Sequence, residues 1–316
     1  MGKILIIRGG ALGDFILTLP AIQLIKNSLP KAKIEILGYP NVTPVAEFSG
    51  LADATRSMEY GPLSFFFAPG SKLPQELVDY FSEFDVVISY LFDPDGYFEA
   101  NMRRAGVETY FSGPYKIDES GPPFRPAAAQ LADPLEQLAL FLETPAFEIT
   151  DPEPPVIPDS AGERVIAIHP GSGSPLKNWS YEGWIEVAAL ILKEHPKSQF
   201  LFISGEAEDQ TIEQFLELAN NANLPFRHLA HPTLRELSAE LTAADLFLGH
   251  DTGVSHLAGA SGVRSILLFG KTNPLIWAPQ NENVSVIEAP SQDLSKISPK
   301  RVWREVCEVF HTLSTE

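Results

Sequence analysis

The sequence predicts an α/β protein of two doubly wound domains, each built on a parallel sheet. Three observations carry that expectation. Short apolar, β-branched runs alternate with segments of helical periodicity, the pattern of strand–helix–strand crossovers. The chain has 316 residues, more than one ordinary core and enough for two domains of about 150 residues each. Five prolines fall between Thr144 and Glu163, where a linker would divide the halves. The expected boundaries are 1–150 for the first domain, 151–163 for the linker, 164–298 for the second domain and 299–316 for a final helix.

The elements follow in order. Lys3–Ile7 reads as a buried strand, leading into the glycine-rich turn Arg8–Asp14. Helical periodicity then runs from Phe15 to Ser28 through Ile16, Leu19, Ile22 and Ile25, and Pro20 predicts a kink or a fresh start within it. Lys33–Leu37 and Asp85–Tyr90 are further strands. Segments 60–75 and 91–126, rich in Gly, Pro and aromatics, read as loops, and 130–142 reads as a helix. After the linker the pattern restarts with strand Val165–Ile168, helix 180–194 and strand Gln199–Ile203. Helices at 207–220 and 233–243, strand Asp245–Leu248, helix 254–261, strand Arg264–Phe269 and a last helix at 299–313 complete it. Two such sheets predict a cleft at the carboxyl ends of their strands, where open α/β folds bind ligands.

Composition removes several function classes. The net charge is −18. Residues 1–150 carry 11 basic and 19 acidic side chains, and the remainder 12 and 22, so the acidity is spread over both halves. That excludes a general nucleic-acid binder, which needs a Lys/Arg excess to neutralise phosphates. It also disfavours broad adhesion to anionic membranes. The single cysteine, Cys307, excludes an intrachain disulfide and a cysteine metal cluster, and reads as a buried small apolar residue. The apolar run Ile4–Ile7 is too short for a signal peptide, and no stretch reaches the roughly 18 apolar residues of a membrane span. A cytoplasmic location is expected.

Three strand-to-helix turns carry chemistry. In His169-Pro170-Gly171-Ser172-Gly173-Ser174-Pro175-Leu176-Lys177-Asn178-Trp179, glycines permit close backbone approach, Ser172 and Ser174 offer hydroxyls and Lys177 a full charge. Such a turn suits a pyrophosphate, and serves equally as a Gly-Pro turn with a solvated lysine. In Gly249-His250-Asp251-Thr252-Gly253 a strand gives way to a helix. Asp251 is expected to cap that helix while Thr252 and Gly253 offer hydroxyl and N–H groups. His256 follows one turn later and either faces the same ligand or packs inside. The turn at 8–14 ends in Asp14, a helix cap that is also suited to taking a proton from a hydroxyl.

In this order the segments resemble glycosyltransferase family 9, the heptosyltransferases of lipopolysaccharide core synthesis. The resemblance rests on Lys3–Arg8 with Leu12-Gly13-Asp14 and Thr18-Leu19-Pro20-Ala21, on His169–Ser172 with Lys177 and Trp179, on Gly205-Glu206-Ala207-Glu208, and on Gly249–Gly253 with His256-Leu257-Ala258 and Phe269-Gly270. It spans nearly the whole chain. It implies a GT-B fold, two Rossmann-like domains facing across a cleft, with the last helix crossing back to the first domain. It implies an inverting, metal-independent transfer whose donor is a nucleotide sugar, ADP-heptose, with no further cofactor. The acceptor would be a lipopolysaccharide-core-type or other glycan, free or lipid-linked, which brings the enzyme to the cytoplasmic face of the inner membrane.

By the same resemblance Asp14 matches the general base, and Lys177, Ser172 and Gly173 match contacts to the donor phosphates. Glu208 matches a contact to the nucleoside or ribose. Asp251, Thr252, Gly253 and His256 match the donor-sugar and pyrophosphate site. On the acceptor side stand Gly13 and the basic residues Arg103, Arg104 and Arg125. Three features depart from the family. His250 stands where the family has Asn or an apolar residue, and the sequence offers no physical account of it. Ser172-Gly173 replaces the paired threonines of some members. The few basic residues before position 150 fit poorly with a phosphorylated acceptor. A GT-B-shaped nucleotide-sugar epimerase and a non-catalytic sugar-nucleotide-binding module remain alternatives, as does an NAD-dependent enzyme, although the Gly-x-Gly-x-x-Gly fingerprint is absent at 8–13.

Overall fold

The computed structural model describes residues 2–151, 153–157 and 163–313, which leaves part of the expected linker outside the described residues. The chain divides into two compact units, Met1–Pro152 and Glu153–Glu316.

The first unit holds strands β1 (Lys3–Arg8), β2 (Lys33–Gly38), β3 (Ala54–Ser57), β4 (Val86–Ser89) and β5 (Thr109–Ser112), in the spatial order β3-β2-β1-β4-β5. All neighbours are parallel. Ile4 to Ile7 are buried at both alternating sets of positions, so both faces of β1 are covered, which is why its sequence is an unbroken apolar run. The helical stretch after the first turn divides as Pro20 requires. A short helix, Leu12–Ile16, ends before Leu19–Ser28 begins, and Pro20 sits in the first turn of the second helix, where a missing N–H costs nothing. The second helix buries Leu19, Ala21, Ile22 and Ile25.

Two segments read as loops contain regular structure. Gly61–Phe67 is a 3-10 helix, and 91–126 contains the helix Tyr97–Arg104 and strand β5. The cause is an aromatic cluster. Phe66 packs edge-on to Phe81 at 4.9 Å and lies 6.1 Å from Phe98, with Met102 buried beside them. The cap of helix Tyr97–Arg104 comes from Asp93, several residues upstream, whose two carboxylate oxygens accept the Phe98 and Glu99 N–H groups at 3.0 Å each. The helix expected at 130–142 is a shorter one, Ala127–Ala132, followed by a 3-10 turn Asp133–Leu138 that carries Pro134.

The second unit holds β6 (Arg164–Ile168), β7 (Ser198–Ser204), β8 (Phe226–Ala230), β9 (Leu246–His250), β10 (Ser265–Phe269) and β11 (Val284–Glu288). Their order is β11-β10-β9-β6-β7-β8, again all parallel. The chain steps outward from β6 to β8, then returns to β9 on the other side of β6. The winding direction therefore reverses between β6 and β9, the place where doubly wound sheets leave a ligand crevice at their carboxyl ends. Helices Tyr181–Glu194, Ile212–Asn221, Leu234–Thr242 and Gly253–Ala260 form the crossovers.

The final helix packs on the second unit. Pro299–Leu313 buries Val302, Val306 and Phe310 in the core of the second unit, packed on helix Tyr181–Glu194. Apolar residues at four-residue spacing give it one apolar stripe, and that stripe is satisfied within its own unit. Cys307 lies off this stripe and is exposed, not buried. Phe310 meets the His195 ring edge-on at 4.9 Å and receives the Arg164 guanidinium at 4.1 Å. Phe310→Ala is expected to destabilise the protein by about 3–5 kcal/mol, the usual cost of truncating a core phenylalanine. Urea unfolding checks this, and an unchanged midpoint would remove the helix from the core of the second unit.

Candidate functional site

Two of the turns singled out in the sequence flank the switch point between β6 and β9. The His169 N–H donates to the Leu248 carbonyl at 3.0 Å, so the β6–β9 ladder runs on into the first residue of the loop. The loop from His169 to Trp179 is then tied down at its far end. The Trp179 N–H donates to His250 Nε2 at 2.7 Å, and its indole N–H donates to the Ile297 carbonyl at 3.1 Å. His250 is thereby accounted for. It is fully buried at the end of β9, edge-on to Trp184 at 5.2 Å, and serves as the acceptor that anchors the loop. Burial and the nearby His169 push its pKa down to about 3, against weaker opposition from Gly171, Asp251 and Glu208, so the ring is the neutral acceptor this bond needs.

Inside the loop, the Ser172 hydroxyl lies 2.6 Å from Asn178 Oδ1 and 2.7 Å from the Ser174 carbonyl, and accepts the Ser174 N–H at 3.2 Å. Ser172 is buried, and its hydroxyl shapes the loop instead of pointing outward. Gly173 is exposed, with open space where a Cβ would stand. The 3-10 turn Pro175–Lys177 directs Lys177 Nζ to Asp251 Oδ2 at 2.7 Å. The same oxygen accepts the Thr272 hydroxyl at 2.7 Å, a partner that the sequence reading missed because it lies beyond β10.

The helix cap is Thr252, not Asp251. Thr252 is extended, and its Oγ1 accepts the Ser255 N–H at 3.4 Å. Asp251 is left to pair with Lys177 and Thr272. The first N–H groups of helix Gly253–Ala260, including that of Gly253, lie within the turn that carries no intrahelical partners. His256 is buried one turn along. The cation, the hydroxyls and a helix N-terminus thus meet at the carboxyl ends of β6, β9 and β10.

Glu208 is buried beneath this loop. Its Oε2 accepts the Gly205 N–H at 2.9 Å and lies 3.5 Å from His169 Nε2. Burial works to raise the Glu208 pKa, but the His169 hydrogen bond and charge, with the Gly205 and Glu208 backbone N–H groups, overcome it and leave the pKa below the ordinary value. Position 171 must be glycine here, because a Cβ would stand 2.4 Å from Glu208 Cγ. His169 Nδ1 lies 3.5 Å from Thr252 Oγ1, linking Glu208 to the helix cap.

In the first unit, Gly13 and Asp14 lie in the short helix after β1. Asp14 Oδ2 accepts the Ala11 N–H at 3.1 Å, and Oδ1 lies 3.9 Å from Arg8 Nη2. The Arg8 guanidinium also donates to the Asp14 carbonyl at 3.1 Å and lies over the Tyr90 ring at 5.6 Å. The Asp14 side chain is 41% exposed, so one face of the carboxylate is open. The three expected acceptor cations are each engaged locally. Arg103 pairs with Glu99 at 3.1 Å and donates to the Glu108 carbonyl. Arg104 donates to Asn101 Oδ1 at 2.6 Å and to the Ser71 carbonyl at 3.0 Å. Arg125 grips both Asp133 oxygens, at 2.9 and 2.6 Å.

The profile of glycosyltransferase family 9 (heptosyltransferase) matches residues 127–305. Lipooligosaccharide heptosyltransferase 2 of Campylobacter jejuni is 25% identical over 129 residues, so the match spans 40% of this chain and 40% of that relative. The solved family 9 protein from Veillonella parvula aligns with a TM-score of 0.78 at 18% identity, covering 98% of this chain and 97% of its own. The Escherichia coli heptosyltransferase WaaC, solved with ADP-2-deoxy-2-fluoro heptose, aligns with a TM-score of 0.69 at 18% identity, covering 97% and 99%. These likenesses show the GT-B fold.

His250 yields a test. It is neutral in the fold near pH 5, with a pKa of about 3, whereas an unfolded histidine titrates near 6.5 and takes up a proton. Its contribution is therefore full above about pH 6.5 and is lost progressively as the pH falls toward 3. Between pH 7 and 5 this amounts to about 2 kcal/mol. His250→Asn keeps an acceptor and removes the titration. Urea unfolding at the two pH values should show the variant losing about 2 kcal/mol less than the parent, and equal losses would contradict a buried neutral ring.

Proposed function

The chain belongs to glycosyltransferase family 9, and from that we propose that it moves a heptosyl group from ADP-heptose to a hydroxyl of a lipopolysaccharide-core-type or other glycan. The observation that carries the donor half is Lys177 Nζ, held 2.7 Å from Asp251 beside the N-terminus of helix Gly253–Ala260. A cation beside the first N–H groups of a helix suits a diphosphate. The sugar nucleotide in the WaaC structure supports ADP-heptose as the donor.

In this reading the donor diphosphate displaces Asp251 as the partner of Lys177 and lies along the first turn at Thr252 and Gly253. Glu208 and His169 support the nucleoside end. Asp14 accepts the proton of the acceptor hydroxyl while that oxygen attacks the anomeric carbon. The bond from that carbon to the diphosphate oxygen breaks in the same displacement, which inverts the centre and releases ADP. Lys177 and the backbone N–H groups stabilise the charge that grows on the leaving diphosphate, without a metal. Ser172 acts through the shape of the loop, and His256 through the packing of the helix. Among the described residues no helix is long and apolar enough to cross a membrane. A cytoplasmic enzyme touching the inner membrane peripherally fits a lipid-linked acceptor.

Asp14→Ala and Lys177→Ala should each lower turnover at least about a hundredfold, or about 2.7 kcal/mol of barrier. The two should differ in binding. Lys177→Ala should weaken ADP, whereas Asp14→Ala should leave ADP affinity unchanged, as read by calorimetry. Near-normal turnover in Asp14→Ala rules out the base assignment, and loss of activity on adding chelator rules out the metal-free mechanism.

A further inference from the structure

We propose that the exposed aromatic pair Phe92 and Tyr115 in the first unit is a stacking platform for an uncharged sugar ring of the acceptor. The inference rests on the transferase reading and deepens its acceptor half, since it assigns recognition to the apolar faces of sugars and not to phosphate charge.

The pair stands at a defined place in the sheet. Phe92 follows the last residue of β4 by three positions, and Tyr115 follows the last residue of β5 by three. Strands β1, β4 and β5 are adjacent and parallel, so both rings lie at the sheet edge that also carries Asp14, on the turn after β1. The two rings meet edge-on at 4.6 Å, yet each residue remains 57% exposed. A scattered exposed aromatic needs no explanation, but two in contact at a ligand-binding edge are a patch.

The backbone beneath them is held in place. The Gly113 N–H donates to the Ser89 carbonyl at 2.7 Å, which continues the β4–β5 ladder into the Tyr115 loop. The Tyr90 N–H donates to the Ile7 carbonyl at 2.9 Å, and the Tyr90 hydroxyl donates to the Leu131 carbonyl at 2.8 Å. Gly113 lies so close over the Tyr90 ring that a Cβ would stand 2.4 Å from it. Both loops therefore leave a clamped base, and ordering the rings on binding costs little entropy.

Charge selects the occupant. Arg103, Arg104 and Arg125 are engaged by internal acceptors, and the first half carries 11 basic against 19 acidic residues. The segment between Phe92 and Tyr97 adds Asp93 and Asp95, against Lys116 beside Tyr115. Such a surface repels a phosphorylated ligand. A neutral sugar avoids the repulsion. Its axial C–H groups form an apolar face that meets the electron-rich face of an aromatic ring, while its hydroxyls stay at the rim in water.

The test uses the full chain and two probes, a delipidated lipopolysaccharide-core oligosaccharide and the same material after phosphatase treatment. Binding of each is measured by calorimetry, with ADP as a control. The dephosphorylated oligosaccharide should bind at least as tightly as the phosphorylated one. The double variant Phe92→Ala/Tyr115→Ala should lose at least tenfold in that affinity with ADP binding unchanged, and Phe92→Tyr alone, which keeps a ring, should retain most of it. Phe92→Leu/Tyr115→Leu, which keeps apolar bulk but no ring, should behave as the alanine pair and guards against a folding defect. Tenfold preference for the phosphorylated probe, equal affinity in the double variants, or no binding of either probe by a chain that binds ADP would each overturn the platform. So would binding to phosphatidylcholine vesicles that depends on the pair while saccharide affinity does not. Failure of the parent chain to bind ADP or ADP-heptose would instead defeat the transferase reading.

Discussion

The hydrogen bond from the Trp179 N–H to His250 Nε2 holds the second unit's His169–Trp179 loop to its sheet. Its net worth is only about 1 kcal/mol, but a buried N–H left without an acceptor costs about 1–3 kcal/mol, so the loop has no cheap alternative path. The bond requires a neutral imidazole, and complete burial beside His169 enforces one. Everything upstream depends on this anchor. With Trp179 fixed, Asn178 meets the Ser172 hydroxyl, and the turn before it carries Lys177 to Asp251. Asn would offer an amide oxygen in place of this ring nitrogen and an apolar residue would offer no acceptor, which explains why a polar residue is stable inside an otherwise apolar strand end.

Glu208 poses the opposite problem, a charge beneath the same loop. Burying a carboxylate is costly unless its oxygens are paired. Oε2 is served by the Gly205 N–H and His169, whereas Oε1 has no hydrogen-bond partner among the described residues. Glycine at 171 lets that oxygen lie directly against the loop backbone. The arrangement leaves an unmet acceptor beneath the loop. The same residues couple this carboxylate through His169 to Thr252 at the helix N-terminus.

Much of this was legible because central strands and crossover helices bury whole faces. β1, β6, β7, β9 and β10 are apolar runs, and Pro20 marks its helix start. Edge strands were harder. β5 (Thr-Tyr-Phe-Ser), β8 (Phe-Arg-His-Leu-Ala) and β11 bury one face at most, so no run announces them. Helix Tyr97–Arg104 was hidden because its cap, Asp93, precedes it by several residues and its buried face is the single pair Phe98 and Met102 with Asn101. At the site, the residue types and their order were readable but their partners were not. Asp251 looks like a cap in one dimension, and Thr272, which frees it from that role, is 21 residues away. The partners of Arg103, Arg104 and Arg125 are likewise invisible to a count of charges.

In the proposed donor site, the Lys177–Asp251 pair sets the resting arrangement. Lys177 is 38% exposed and Asp251 only 10%. An ion pair with one solvated member is worth at most about 1 kcal/mol, well below what a diphosphate offers through two or more charges and several N–H groups. Thr272 already supplies Asp251 with a second hydrogen bond, so the carboxylate is not stranded when the lysine leaves. Removing Thr272 would make that departure more costly and bind Lys177 more tightly to its resting partner. The Thr272 hydroxyl, in the loop after β10, thus lowers the cost of parting Lys177 from Asp251.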